Sequence, residues 1–405
     1  MQRFYAMSAE GKRKIAVVTS SRADYSHLYW VLIELSRRPD VELAIITMGP
    51  HMSPEFGHTW RDVAGDGFAV AEHIECLLSS DTDVGMAKTI GVATLGLADC
   101  LGRLRPDLLL LIADRYEMLA PASVALALRI PVAHIEGGDV SLGAIDDAVR
   151  NALTKLSHIH LTTTENSRKR VIAMGEEAWR VHVVGSASLD HLKKANLFTR
   201  EEVEQTLKVS LAQETVAVIY HPVTILRDTL LEADELLAGL RRIPQPLIFI
   251  SPNADAGSRE LTDRIQAFIT QRGNAVFIAN IEHRTYLSLL QYLTVLVGNS
   301  SSGIMEAASF KLPVVNVGLR QEGRERGRNV LDSGADRQEI ENAILLALSP
   351  GFRASLSGLK NPYGDGHSAE KIAEILTSVQ LCESLLIKQP APIAAGIEEY
   401  ENSSR

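Results

Sequence analysis

Short apolar runs, β-branched or Leu-rich, alternate with longer segments of helical periodicity along almost the whole chain. "KIAVVTS", "ELAIITM", "DLLLLIA" and "PVAHIEG" form a first series; "TVAVIYH", "PLIFISP", "AVFIAN", "VLVGNS" and "PVVNVG" form a second. Strands apolar at consecutive positions are buried on both faces, the signature of parallel sheet covered by helices. Between the series, "ASLDHLKKANLFTREEVEQTLKVSLAQE" (187–214) is polar and helix-prone, and reads as linker plus a first helix. The pattern predicts an α/β protein of two doubly wound, Rossmann-like domains, 1–190 and 191–369, facing each other across an interdomain cleft. Segment 370–405 reads as a helix crossing back onto the first domain, then a poorly ordered tail after Pro390. In such sheets ligands bind outside the carboxyl ends of the strands, so the residues just after each strand carry the chemistry.

Composition narrows the partners. The chain has 405 residues, 46% hydrophobic and 22% charged, with a formal charge of −9. This length is enough for two cores, and the acidic balance argues against nucleic acid, whose binding needs a basic face. Cys76, Cys100 and Cys382 fit no metal or redox spacing and suit a reducing compartment. "MQRFYAMSAEGKRK" lacks the apolar stretch of a secretory signal, and the longest apolar run, "LLLLIA", is too short to span a bilayer. The expected setting is the cytoplasm, with no membrane partner.

Candidate chemistry sits at the strand ends. Asp114 and Arg115 end "DLLLLIA", and Glu136 ends "PVAHI"; adjacent parallel strands lie about 5 Å apart, so Asp114 and Glu136 can converge on one reacting carbon, with Asp146 a short loop further on. Such carboxylates separate one another's pKa values into a donor and an acceptor. Asp139 and Asp147 read as turn and cap residues. His134 and Glu136 form an H-x-E pair, but the P-C-x-x-C of zinc deaminases is absent, so neither metal nor cofactor is expected. His158 and His160 read as ordinary sheet residues.

In the second half, "GNSSSG" (298–303) opens a helix with amides and hydroxyls suited to phosphate, although Asn299 and the serines could equally be caps. It has neither P-loop nor dinucleotide spacing. Beyond the next strand, "GLRQEGRERGRNV" places Arg320 closest to the strand end; Arg324, Arg326 and Arg328 read as a solvated charge run. Arg22 and Ser26 in "SSRADYSHL" mark the facing wall, while His221 in "YHPVT" and His51 in "GPHMS" occupy strand-end positions that suit either a ligand or a satisfied core.

Taken in order, "SRADYS", "ADRYE", "HIEGGD", "GAIDDAVRNALTKLSHIH", "YHPVT", "PNADAGS", "GNSSSGIMEA" and "GLRQEGRERGRNV" resemble the hydrolysing UDP-N-acetylglucosamine 2-epimerases over residues 12–375. The resemblance implies the glycosyltransferase-B architecture and conversion of UDP-N-acetylglucosamine to N-acetylmannosamine and UDP through a glycal. It implies that Asp114, Glu136 and Asp146 are the acid–base residues and that Arg22, Ser26 and Arg115 contact the nucleotide sugar. His221, Asn253, Ser300, Ser301 and Arg320 would hold the diphosphate, Glu306 the ribose, and Asn280 and Ile281 the uracil, with Tyr286 nearby. A homodimer or homotetramer is expected. Departures fall at Ala113, at Ile112, where some relatives have His, and at Asn151, which follows Arg150 where His is familiar. They leave the carboxylates in place but unsettle the sugar, so that a UDP-linked 2,4-diacetamido-trideoxy sugar is an alternative substrate. A non-hydrolysing epimerase and a non-enzymatic nucleotide-sugar binder fit the same motifs.

Overall fold

In the computed structural model the described residues are 11–78, 82–112, 114–142, 145–211, 214–223, 230–252 and 257–390. Two parallel sheets organise them. The first contains β1 (Arg13–Thr19), β2 (Val41–Met48), β3 (Val70–Ile74), β4 (Leu108–Ile112), β5 (Val132–Ile135), β6 (Ile159–Thr162) and β7 (Val181–Val183), in the order β3-β2-β1-β4-β5-β6-β7. The second contains β8 (Val216–Ile219), β9 (Leu247–Ile250), β10 (Ala275–Ile278), β11 (Val295–Gly298), β12 (Val314–Val317) and β13 (Val330–Ser333), in the order β10-β9-β8-β11-β12-β13. Each sheet reverses its strand order once, between β1 and β4 and between β8 and β11, and a crevice opens at such a reversal.

The inner strands are as the apolar runs require: β4, β5, β8, β9, β11 and β12 are buried at every position. Three edge strands carry no such run. β3 alternates in exposure, and β7 and β13 are short and partly exposed, because an edge strand lacks a neighbour on one side.

Eight helices position the site or brace the lobes around it: α1 (Arg22–Ser36), α2 (Asp83–Leu104), α3 (Leu119–Leu128), α4 (Asp146–Leu156), α5 (Glu165–Ala173), α6 (His283–Leu290), α7 (Ser301–Met305) and α8 (Ser368–Ser378). α1 begins directly after β1, with Ser21 accepting from the Asp24 amide at its start. α2 has the length and apolarity of a membrane-crossing helix, but it packs on α3 and β3. α8 returns from the second lobe and buries Ala369, Ile372, Ala373 and Leu376 in the first lobe's core beside Leu28 and Leu32. The expected poorly ordered tail after Pro390 lies outside the described residues.

Candidate functional site

The two crevices face each other across a small chamber of about 120 Å³. Ala23, Asp24 and His27 enter it from the start of α1, Ile112, Asp114 and Arg115 from the end of β4, and Glu136 from the end of β5. The second lobe closes it with Ser301, Met305, Arg320, Gln321 and Arg324. An outer chamber of about 640 Å³, reaching Arg22 and Asn280, shares Ala23, Met86, Arg115 and Tyr116 with it.

The ends of β4 and β5 lie beside each other, Ile112 pairing with Ile135, and Asp114 and Glu136, just beyond those ends, both line the chamber. Asp114 is paired with the buried guanidinium of Arg150, which also donates to the Asp139 carbonyl at 3.0 Å and to Ser141 Oγ at 3.1 Å. Burial alone would push Asp114 up, but Arg150, with Arg324 and Arg320, holds it below the usual carboxylate range. Glu136 is 3.1 Å from His27 Nδ1. There too burial opposes ionisation, and His27 reverses the effect. Both carboxylates are therefore anions at neutral pH.

The turn that follows explains the paired glycines. Glu136 adopts φ 68° and Gly138 φ 80°, and a Cβ on Gly138 would stand 2.3 Å from the Ser167 carbonyl on α5. Only glycine permits that approach. The chain can then fold back so that Asp139 accepts from Thr163 and Ser167, each at 2.6 Å, and Asp146 begins α4 opposite Arg320, 3.5 Å away.

On the second lobe, Asn299 ties the crevice shut behind the site. Its Oδ1 accepts from the His221 amide at 2.7 Å and its Nδ2 donates to the His221 carbonyl at 2.9 Å. Its own carbonyl accepts from Arg320 Nη1 at 3.1 Å and Gln321 Nε2 at 2.9 Å. Ser300 caps α7, accepting from the Ser302 amide at 3.4 Å. His221 is buried and, near Arg320, is held neutral. Arg320 Nε is buried with no partner among the described residues, a donor left over beside the serine turn.

Comparison with known proteins decides the family. The profile of the UDP-N-acetylglucosamine 2-epimerase family matches residues 33–377. This chain belongs to the UDP-N-acetylglucosamine 2-epimerase family. It is 36% identical over 325 residues, 80% of the chain and 84% of the relative, to the hydrolysing GDP/UDP-N,N'-diacetylbacillosamine 2-epimerase of Campylobacter jejuni. With the hydrolysing UDP-N,N'-diacetylbacillosamine 2-epimerase of Legionella pneumophila it shares 35% over 377 residues, 93% and 98% of the two chains. Its fold matches the UDP-GlcNAc 2-epimerase from Neisseria meningitidis bound to UDP-GlcNAc at TM-score 0.77 and 19% identity, covering 90% of this chain and all of that one. The two-lobed, glycosyltransferase-B-like architecture is thus the family's, and the chain is a UDP-sugar 2-epimerase.

Within this epimerase the sequence-predicted residues fall into groups. Asp114, Glu136, Asp146, Arg115, Ser301 and Arg320 line the inner chamber. Arg22 and Asn280 line the outer one, and Ser26 lines a further cleft together with Arg22 and Asn280. Glu306 is buried at the end of α7, Tyr286 is tethered through its hydroxyl to Ser302, and Ile281 precedes α6, half-buried. Asn253 lies outside the described residues. His51 is a correction. It is fully buried with both ring nitrogens on hydroxyls, Thr19 at 2.9 Å and Thr59 at 2.7 Å, and burial pushes its pKa down to about 3; it is a satisfied core histidine. Arg324 is a second correction: it is not solvated but buried, donating to the Val140 carbonyl at 3.0 Å. His27 and Arg150 went unrecognised. Their signal was the i, i+3 and i, i+4 spacing that sets His27 on the same face of α1 as Asp24 and Ala23, and the basic residue one turn after Asp146.

Proposed function

We propose that this epimerase is hydrolysing and that its substrate is a UDP-linked 2,4-diacetamido-2,4,6-trideoxy hexose. The observation that carries the choice of sugar is the chamber wall: around Asp114 and Glu136 stand Met86, Ile112, Ile145 and Met305, apolar side chains suited to a 6-methyl group and N-acetyl methyls rather than to free hydroxyls. The names of the Campylobacter and Legionella relatives support the same reading. UDP-N-acetylglucosamine, favoured by the motifs alone, stands as the second substrate to test.

Inverting C2 of such a sugar requires removing a proton that is barely acidic. Breaking the C1–O bond helps, because positive charge develops at C1 as UDP departs. In this reading Arg320, His221 and the Ser300–Ser301 turn stabilise the leaving diphosphate. A carboxylate takes the C2 proton, the C–H pair becomes the C1–C2 double bond, and UDP leaves with the C1–O pair. Water then adds at C1 while an acid returns a proton to C2 from the opposite face. Initial rates of UDP release from the two candidate UDP-sugars test the proposal: kcat/KM for the diacetamido sugar is expected to be higher by at least ~10-fold. A preference for UDP-N-acetylglucosamine would reverse the assignment.

The same reading places the enzyme in the cytoplasm and has it associate with itself. Val84, Val92 and Leu95 on α2 and Leu126 on α3 are exposed, an apolar surface of the kind that a second copy covers. Sedimentation is expected to give a dimer or tetramer, reduced in size by Leu95→Glu; a monomeric wild type would remove the proposal.

A further inference from the structure

The two chamber carboxylates have unlike counter-ions. Asp114 faces Arg150, Arg324 and Arg320, guanidiniums that keep their protons at any accessible pH. Glu136 faces His27 first and Arg324 next, with the Asp114 charge opposing it. A carboxylate surrounded by three fixed cations is the weaker base, so the two are not interchangeable as proton acceptors.

His27 is built for this contact. It lies on the second turn of α1, whose start is fixed by the end of β1 and by the Ser21 cap. Glu136 meets it from the left-handed backbone conformation, φ 68°, anchored by its amide to the Leu161 carbonyl at 2.9 Å. The groups facing the imidazole come from four elements: Glu136 after β5, Glu306 after α7, Asp24 on its own helix, and His283 on α6, 6.5 Å away ring to ring. His191 lies beyond, 4.5 Å from His283. Burial keeps both of those histidines neutral, His191 with a pKa down at about 4, so they add no fixed charge.

We propose that His27, as the imidazolium, is the positioning residue that holds Glu136 anionic and aimed into the chamber, making Glu136 the base that takes the C2 proton while Asp114 remains a fixed charge. The C2 step rests on the elimination proposed above; the pairing itself does not. Burial by itself would lower the His27 pKa, but Glu136, Glu306 and Asp24 raise it to about 9, which leaves the ring charged at neutral pH.

Two measurements on the full-length protein separate the pairing from the reaction. With ¹³C-labelled histidine, and His27→Gln used to assign the resonance, NMR titration is expected to show His27 changing charge above pH 8 and, in Glu136→Gln, below pH 7. Titration near 6.5 in the wild type, or no change in Glu136→Gln, overturns the proposal. In turnover, His27→Gln should lower kcat at least ~10-fold with KM nearly unchanged and move the acid limb of the kcat profile to higher pH, because Glu136 has lost its cation. His27→Lys should restore part of kcat and carry the alkaline limb upward. Loss of kcat in both variants with neither limb moved would reduce His27 to a structural role and overturn the proposal. A wild type that releases no UDP from either sugar removes the elimination and the C2 assignment, while the titration still decides the pair.

Discussion

Charge inside the chamber is arranged residue by residue as pairs: Asp114 with Arg150, Glu136 with His27, Asp146 with Arg320. A buried carboxylate without a cation would protonate rather than stay charged, so the pairs at Asp114 and Glu136 keep anions in the chamber. Glu136→Gln preserves shape and removes the proposed base. Turnover is expected to fall at least ~100-fold while UDP affinity, measured by calorimetry, is largely kept; near-normal turnover would remove Glu136 from the chemistry. Asp114, Glu136 and Arg320 were legible in sequence because each sits at a strand end, where an apolar run stops and a polar residue must face the cleft. His27, Arg150 and Arg324 were not. His27 and Arg150 lie inside helices and Arg324 in a loop, and only the packing of α1, α4 and the 318–327 loop aims them inward. His51 was misplaced for the converse reason: its strand-end position was visible, but not the two hydroxyls that satisfy it.

Individual strands and helices show why the turns are so restricted. Gly298 ends β11 at φ 134°, and a Cβ there would stand 1.9 Å from the Ile219 carbonyl on β8. Gly298→Ala is therefore expected to cost more than ~4 kcal/mol and to lower the thermal midpoint sharply; a variant of wild-type stability would show that β8 and β11 can separate locally. The interior strands were readable as continuous apolar runs, whereas β3, β7 and β13 were missed because edge strands bury one side only. At the far end of the first sheet, Glu176 is buried between His160 (3.0 Å), Lys155 (2.6 Å) and Lys388 (2.8 Å). Burial opposes its charge, but these three donors bring its pKa down to about 2. Because the folded value lies below the unfolded one, the stabilisation is present above about pH 4.5 and is lost as pH falls towards 2. It is worth about 3 kcal/mol at neutral pH. Glu176→Gln should flatten that acid limb in denaturant titrations; an unchanged limb would mean that the clasp contributes nothing.

For the molecule as a whole, the two lobes touch beside the chamber. Arg324 donates to the Val140 carbonyl at 3.0 Å, the Leu142 amide to the Glu322 carbonyl at 3.4 Å, and Arg170 to the Gly323 carbonyl at 3.4 Å. The loop after β12 thus clasps the loop that carries the carboxylates. The inner chamber of about 120 Å³ adjoins the outer one of about 640 Å³, and the clasp closes the inner one on the second lobe's side, where it can shut out bulk water. The doubly wound plan and the cleft were predictable from alternating strands and helices, but this contact was not, since it depends on how two separately folded lobes meet. If UDP departs and C2 loses its proton in this chamber, turnover in heavy water, with the released sugar read by NMR, is expected to give free UDP and a 2-epimerised sugar carrying deuterium at C2. A released sugar with protium at C2, or one of unchanged configuration, would contradict that expectation.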